Sequence, residues 1–192
     1  TIDNVLLTSG SQQGLDLIAK SFINPGDKIV VESPTYLAAL QTFRMYGAEF
    51  IEAPVDADGV MADELDKILA SEENVKLIYM IPSFQNPSGR TVSAERRKAI
   101  MEVVQKYDVI LIEDAPYEDL KYTDDVYPCM KSMDTTGQVL YFGSFSKVIT
   151  PGFRLGYSIA SEPILSRMII GKQSCDLNCS VFSQAVLAEF LK

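Results

Sequence analysis

The sequence predicts an α/β fold: a three-layer α/β/α sandwich on a mostly parallel sheet of about seven strands. Three observations predict it. Short, nearly continuous apolar runs rich in β-branched residues recur along the chain. Helical patterns separate them. Turn signals such as NPGD (24–27) and NPSG (86–89) punctuate the units. Strands apolar on both faces need cover on both faces, and the intervening helices supply it.

In chain order, VLLT (5–8) is the first strand and SQQGLDLIAKSF (11–22) the first helix. KIVVE (28–32) is a strand, TYLAALQTFRMYG (35–47) a helix and FIEAP (50–54) a strand. ADELDKILAS (62–71) is a helix, KLIYMI (76–81) a strand and SAERRKAIMEVVQKY (93–107) a helix. VILIED (109–114), VLYFG (139–143) and LGYSIA (155–160) complete the strands, and 162–192 forms one or two helices. No repeat, low-complexity tract or linker divides the chain, so residues 1–192 read as one domain, long enough to bury a sizeable core.

Composition narrows the function. With 17 basic and 26 acidic residues the net charge is −9, which argues against non-specific nucleic-acid binding by this domain. No apolar run reaches membrane-spanning length, and TIDNVLLTSG is no secretory signal. Three cysteines, Cys129, Cys175 and Cys179, are an odd number without such a signal, which fits reduced thiols and a cytoplasmic protein. Cys175 and Cys179 stand at i, i+4, a spacing that could suit a metal, but there is no histidine and no second pair to complete a site. No metal is expected. The chain opens almost directly on a strand without an initiator Met and stops inside a helical pattern, so it reads as a piece of a longer protein.

In doubly wound sheets ligands sit beyond the carboxyl ends of the strands. Those ends here carry Ser9-Gly10-Ser11-Gln12, Ser33-Pro34-Thr35-Tyr36, Gln85-Asn86-Pro87, Asp114-Ala115-Pro116-Tyr117, and Ser144, Ser146 and Lys147. Strand, SGSQQ and helix together make an anion site: Gly10 permits a tight turn, and a helix N-terminus offers free N–H groups. Plain capping by Ser9 or Ser11 is the simpler alternative. Arg154 could pair bidentately with a phosphate at that spot, or form a surface ion pair. Asp114 ends a very apolar strand and needs a partner: a protonated ring nitrogen, a helix end or a metal. Alternation sends Glu113 to the other face. Asn86 could donate to a ligand oxygen or serve only the turn. Tyr36 is either core or a flat face for stacking.

Lys147 stands in GSFSKVITPGFRLGY among serines and apolar residues. It is either a solvated surface charge or an amine whose pKa desolvation and nearby Arg154 would lower, making it a nucleophile toward carbonyls. A phosphate cup, a ring-nitrogen partner, a ring-oxygen donor, a stacking face and an amine together describe one ligand, pyridoxal 5'-phosphate held as a Schiff base.

The pieces TSGSQQGLDL, ESPTYLAAL, PSFQNPSG, EDAPYEDL and GSFSKVITPGFRLGY, in this order across nearly the whole chain, resemble the fold-type I pyridoxal-phosphate enzymes of the class I/II aminotransferase group. They are most similar to the branch with 2-aminoadipate and kynurenine aminotransferases and the aminotransferase-like domains of certain bacterial regulators. The resemblance implies that Gly10, Ser11, Gln12, Ser144, Ser146 and Arg154 bind the phosphate and that Tyr36 stacks on the ring. It implies that Asn86 and Tyr117 bond the ring hydroxyl oxygen, Asp114 keeps the ring nitrogen protonated, and Lys147 forms the Schiff base and moves the proton. Lys147, Asp114 and Tyr117 are thus the expected catalytic residues. Where the family often has a second acidic residue after its aspartate, this chain has Ala115.

The resemblance further implies one antiparallel strand, with LGYSIA the candidate, a homodimer with its active site across the interface, and amino-acid and 2-oxo-acid substrates. It also implies a small C-terminal domain bearing a carboxylate-binding arginine and an N-terminal segment, neither within these residues. The expected reaction is transamination; the rivals are an effector domain of a transcription regulator and another reaction on the same cofactor, such as a lyase.

Overall fold

In the computed structural model, which describes residues 1–122 and 124–192, seven strands form one sheet. They are β1 (Val5–Thr8), β2 (Lys28–Glu32), β3 (Glu49–Ala53), β6 (Val75–Met80), β7 (Ile110–Asp114), β8 (Val139–Ser144) and β9 (Gly156–Ile159). Their order is β1-β9-β8-β7-β6-β2-β3. β8, β7, β6, β2 and β3 are mutually parallel, and β9 runs antiparallel to both β1 and β8. This is the expected sandwich, with LGYSIA supplying the antiparallel strand. Two further strands, β4 (Val55–Asp56) and β5 (Gly59–Val60), pair as a small hairpin. At two residues each they are too short to show a period in sequence.

Strand alternation divides the core. Ile29, Val31, Leu77, Tyr79, Ile112, Leu140 and Phe142 face one layer, formed by α1 (Ser11–Phe22), α2 (Leu37–Met45) and α5 (Glu162–Cys175). Val30, Ile78, Met80, Leu111 and Val139 face the other, formed by α3 (Ala62–Ser71) and α4 (Ala94–Val104). Each such side chain contributes about 1.5–3 kcal/mol of burial. The C-terminal stretch is two helices, α5 and α6 (Val181–Phe190), and Leu187 of α6 meets Leu155 and Cys179 in a small separate cluster. No helix among the described residues is long and apolar enough to cross a membrane.

The parity also separates Glu113 from Asp114, as expected. Glu113 shares the α3/α4 face with Leu111, and its two oxygens accept from the N–H groups of Met130 and Lys131, both at 2.8 Å. Beside it lies Arg97, fully buried on α4. Its guanidinium donates to the carbonyls of Val92 (2.9 Å), Pro82 (3.0 Å) and Pro128 (3.3 Å) and to Ser83 Oγ (2.7 Å), and approaches Glu113 at 3.9 Å. One side chain thus fixes both ends of the loop between β6 and α4, the loop that carries Asn86.

Arg97→Leu leaves several buried acceptors unpaired. It is expected to cost about 3–5 kcal/mol and to lower Tm by about 6 °C or more, whereas Lys98→Ala on the exposed face should stay within about 0.5 kcal/mol. Thermal melts of the two variants check this; an unshifted Arg97→Leu melt contradicts it.

Candidate active site

β1, β2, β6, β7 and β8 deliver their ends to a cavity of about 250 Å³. Its lining includes Ser11, Gln12, Tyr36, Asn86, Asp114, Tyr117, Ser144, Ser146, Lys147 and Arg154. Every site residue expected from sequence is therefore brought to one place, apart from Gly10, which lies directly behind Arg154.

Gly10 turns the chain from β1 into α1 with φ +80°, and a Cβ there would meet Arg154 Nη2 at 2.5 Å. Gly10 is itself the N-cap, and no side chain caps α1. The capping alternative for Ser9 and Ser11 therefore fails: Ser9 Oγ turns away to Asp176 Oδ2 (2.9 Å), and Ser11 lines the cavity. Arg154 makes no ion pair among the described residues. Its Nη2 approaches the Ser9 carbonyl at 3.5 Å and its Nη1 the Pro151 carbonyl at 3.3 Å. A guanidinium with no acidic partner among the described residues and uncapped helix N–H groups converge, which is how proteins hold phosphate or carboxylate. The Gln12 side chain is spent on Thr42 Oγ1 (2.7 Å) of α2, leaving its backbone N–H to the helix end.

Gly156 was not singled out in sequence. A Cβ on it would lie 2.8 Å from the Ser11 nitrogen and 2.9 Å from the Gly143 carbonyl. The antiparallel strand β9 thus backs the Ser9–Ser11 turn at a distance only glycine permits.

Tyr36 precedes α2 as its N-cap, so the helix begins two residues later than the sequence pattern suggested. Outside the helix the ring is half-buried and faces the cavity, where burial and then Asp114 raise the pKa of its hydroxyl. The Asn86 side chain has no hydrogen-bond partner among the described residues. The turn it belongs to is closed instead by Gln85, whose Oε1 accepts from Ser88 N (2.8 Å) and Ser88 Oγ (2.6 Å).

Asp114 is 4% exposed at the floor. Its Oδ2 accepts a 2.7 Å hydrogen bond from Tyr79, a fully buried residue that sequence placed in the strand core without a role. A hydroxyl within an apolar strand, at the parity of the cavity face, was the available signal. Oδ1 is buried and has no hydrogen-bond partner among the described residues. Burial raises the carboxyl from the usual 3.8 to about 6, and the Tyr79 hydrogen bond opposes the rise.

Lys147 sits in the turn after β8 with its Nζ 6.0 Å from the centre of the Tyr117 ring. Among the described residues it has no hydrogen bond or ion pair. The expected desolvation is not provided by this chain: Lys147 is exposed. Its apolar neighbours Phe145 and Ile149 pack against the cluster of Leu155, Cys179 and Leu187. The i, i+4 cysteines are likewise parted, with Cys175 exposed and accepting from Lys20 Nζ (3.1 Å) while Cys179 is buried. Among the described residues no group of three or more Cys, Asp or Glu gathers as metal ligands.

Residues 1–192 match the family model Aminotransferase class I and II. The chain is 45% identical to Aromatic-amino-acid aminotransferase 1 of Thermococcus litoralis over 98% of its own length and 46% of that protein. It superposes with a TM-score of 0.94 and 34% identity on the alpha-aminoadipate aminotransferase of Thermus thermophilus complexed with N-(5'-phosphopyridoxyl)-L-leucine, covering 98% of this chain and 49% of that one. It is also 36% identical to an uncharacterized HTH-type transcriptional regulator of Bacillus subtilis, over 97% of this chain and 38% of that protein. The chain spans about half the length of the curated aminotransferases it matches.

The lone Asp114 oxygen has a measurable consequence without any ligand. The folded chain keeps a proton that the unfolded chain releases between about pH 4 and pH 6, so stability from this group is greatest below pH 4 and falls as pH rises through 6. Asp114→Asn removes that loss. At pH 7.5 the variant should be more stable than wild type by on the order of 2–3 kcal/mol, shrinking toward zero near pH 4. Urea unfolding at the two pH values checks this, and a pH-independent difference contradicts it.

Proposed function

We propose, on the premise that the chain belongs to the class I and II aminotransferase family, that its parent protein transfers an amino group between an amino acid and a 2-oxo acid with pyridoxal 5'-phosphate. This chain supplies the cofactor-binding large domain. The observation that carries the reading is the Asp114 Oδ1, orphaned among the described residues, at the floor of a cavity whose rim holds an uncapped helix N-terminus and an arginine with no acidic partner among those residues. A buried carboxylate oxygen needs a donor, and a protonated pyridine nitrogen is one that the cofactor brings. The residues present fit the group.

The N–H groups of Ser11 and Gln12, the hydroxyls of Ser144 and Ser146 and the guanidinium of Arg154 hold its phosphate, with Gly10 giving them room. Tyr36 would stack on the ring, Asn86 and Tyr117 would bond its hydroxyl oxygen, and Asp114, steadied by Tyr79, would keep its nitrogen protonated. When bound, the cofactor supplies an electron sink for negative charge developing at the substrate Cα. Lys147 Nζ would hold the cofactor covalently and would move the proton at the substrate Cα. The exposed amine leaves room for the remaining half of the protein. We place there a small domain with a carboxylate-binding arginine, an N-terminal segment and a second copy completing the site.

A second reading rests on the similarity to a transcriptional regulator. In it the same cavity senses the cofactor or an amino acid, and a DNA-binding domain lies outside residues 1–192, since a net charge of −9 makes this domain a poor partner for DNA. The sequence of the full protein separates the two readings.

Borohydride reduction of the protein after addition of pyridoxal 5'-phosphate, followed by peptide mapping, should place the pyridoxyl group on Lys147, and Lys147→Ala should abolish the label. A label on Lys121, Lys131 or Lys172 instead overturns the assignment.

A further inference from the structure

We infer that Lys172 and Asp176 of the α5 end, which do not line the cavity, are positioning residues that set its affinity for the phosphate group. The inference rests on the reading of the cavity as a pyridoxal-phosphate site.

Lys172 is a buried lysine, its side chain 5% exposed, and such a charge needs a full set of partners. Its Nζ donates to Asp176 Oδ1 (2.8 Å) and to Gln13 Oε1 (2.9 Å). Asp176 Oδ2 accepts from Gln13 Nε2 (2.8 Å) and from Ser9 Oγ (2.9 Å). Gln13 Oε1 accepts in turn from the Ser9 N–H (2.8 Å). The result is a closed ring of three side chains, Lys172, Asp176 and Gln13, that grips Ser9 by both its backbone nitrogen and its hydroxyl.

Ser9 is the residue before Gly10, and its carbonyl faces Arg154 Nη2. Holding Ser9 therefore fixes where the α1 N–H groups and the guanidinium point. Gly156 blocks the turn from behind, with only 2.8 Å between a Cβ there and Ser11 N. The turn is thus held between β9 on one side and the latch from α5 on the other. The two latch charges offset each other, so they bring no net charge to the anion. Their effect is geometric: they pre-organise donors whose alignment decides affinity. Ser9 is separated from Asp176 by nearly the whole chain, so local sequence does not enforce this arrangement.

The probes are pyridoxal 5'-phosphate and pyridoxal, which differ only in the phosphate. Both are titrated into wild type, Lys172→Met and Asp176→Asn, following absorbance, with thermal melts of the ligand-free proteins alongside. Each variant should lose roughly tenfold or more in affinity for the phosphorylated form while its affinity for pyridoxal changes about threefold or less. Lys172→Arg, which keeps the charge, should recover part of the loss. Asp176 is the more exposed partner, so Asp176→Asn carries the test if Lys172→Met does not fold. Equal losses for both probes, or no loss for either, overturn the inference while leaving the reading of the cavity intact. A wild type that binds pyridoxal 5'-phosphate no better than pyridoxal overturns that reading and the inference with it.

Discussion

A carboxylate at the end of an apolar strand, with one oxygen paired and the other free, is the constraint around which the rest of this structure is arranged. Asp114 is carried by β7, the middle strand of the seven-stranded sheet, and lines the cavity at the strand ends. Tyr79 on the adjacent strand β6 reaches it because parallel register and alternation put both side chains on the same face. The hydrogen bond fixes the carboxylate and leaves Oδ1 for something the chain does not itself provide. Such a group costs stability in the absence of a ligand, and a fold keeps it where a bound group recovers that cost.

The opposite wall depends on a topological choice. β9 is inserted antiparallel between β1 and β8, bringing Gly156 under the turn into α1 and leaving Arg154, in the left-handed region at φ +50°, at the turn's mouth. The proposed anion-binding end is therefore made by two segments remote in sequence: the β1–α1 turn, and the β8 end with the connection that follows it to β9. The α5 end backs the turn from behind. A helix N-terminus alone is a weak site; here it is joined by a guanidinium with no acidic partner among the described residues.

The proposed Schiff-base amine is the part this chain completes least. Lys147 is exposed, its amine 6.0 Å from the centre of the Tyr117 ring, and its hydrophobic neighbours in sequence serve a separate cluster with Leu187 of α6. An enzyme that uses a lysine amine in this way shields it from water. The chain spans about half the length of its curated aminotransferase relatives, and the proposed remaining half, together with a second copy, is where that shielding belongs.

Much of this was legible in the sequence because the signals are local. Apolar runs gave the seven strands, alternation separated Glu113 from Asp114, and motifs at the strand ends marked the residues that the cavity gathers. The two-residue hairpin and the late start of α2 escaped, since so few residues carry no period and capping at Tyr36 depends on the loop before it. Tyr79 carried only the weak mark of a hydroxyl in an apolar strand, and Gly156, Lys172 and Gln13 carried none. A tyrosine in an apolar strand, a glycine at the start of one, and a lysine and a glutamine on helices are ordinary in one dimension. Only the packing of distant segments decided that the first holds a carboxylate, the second admits a turn and the last two hold it in place. Burial likewise belongs to the tertiary structure: the sequence set Lys147 among apolar neighbours, but Phe145 and Ile149 pack into the cluster with Leu187 of α6, and Lys147 stays exposed.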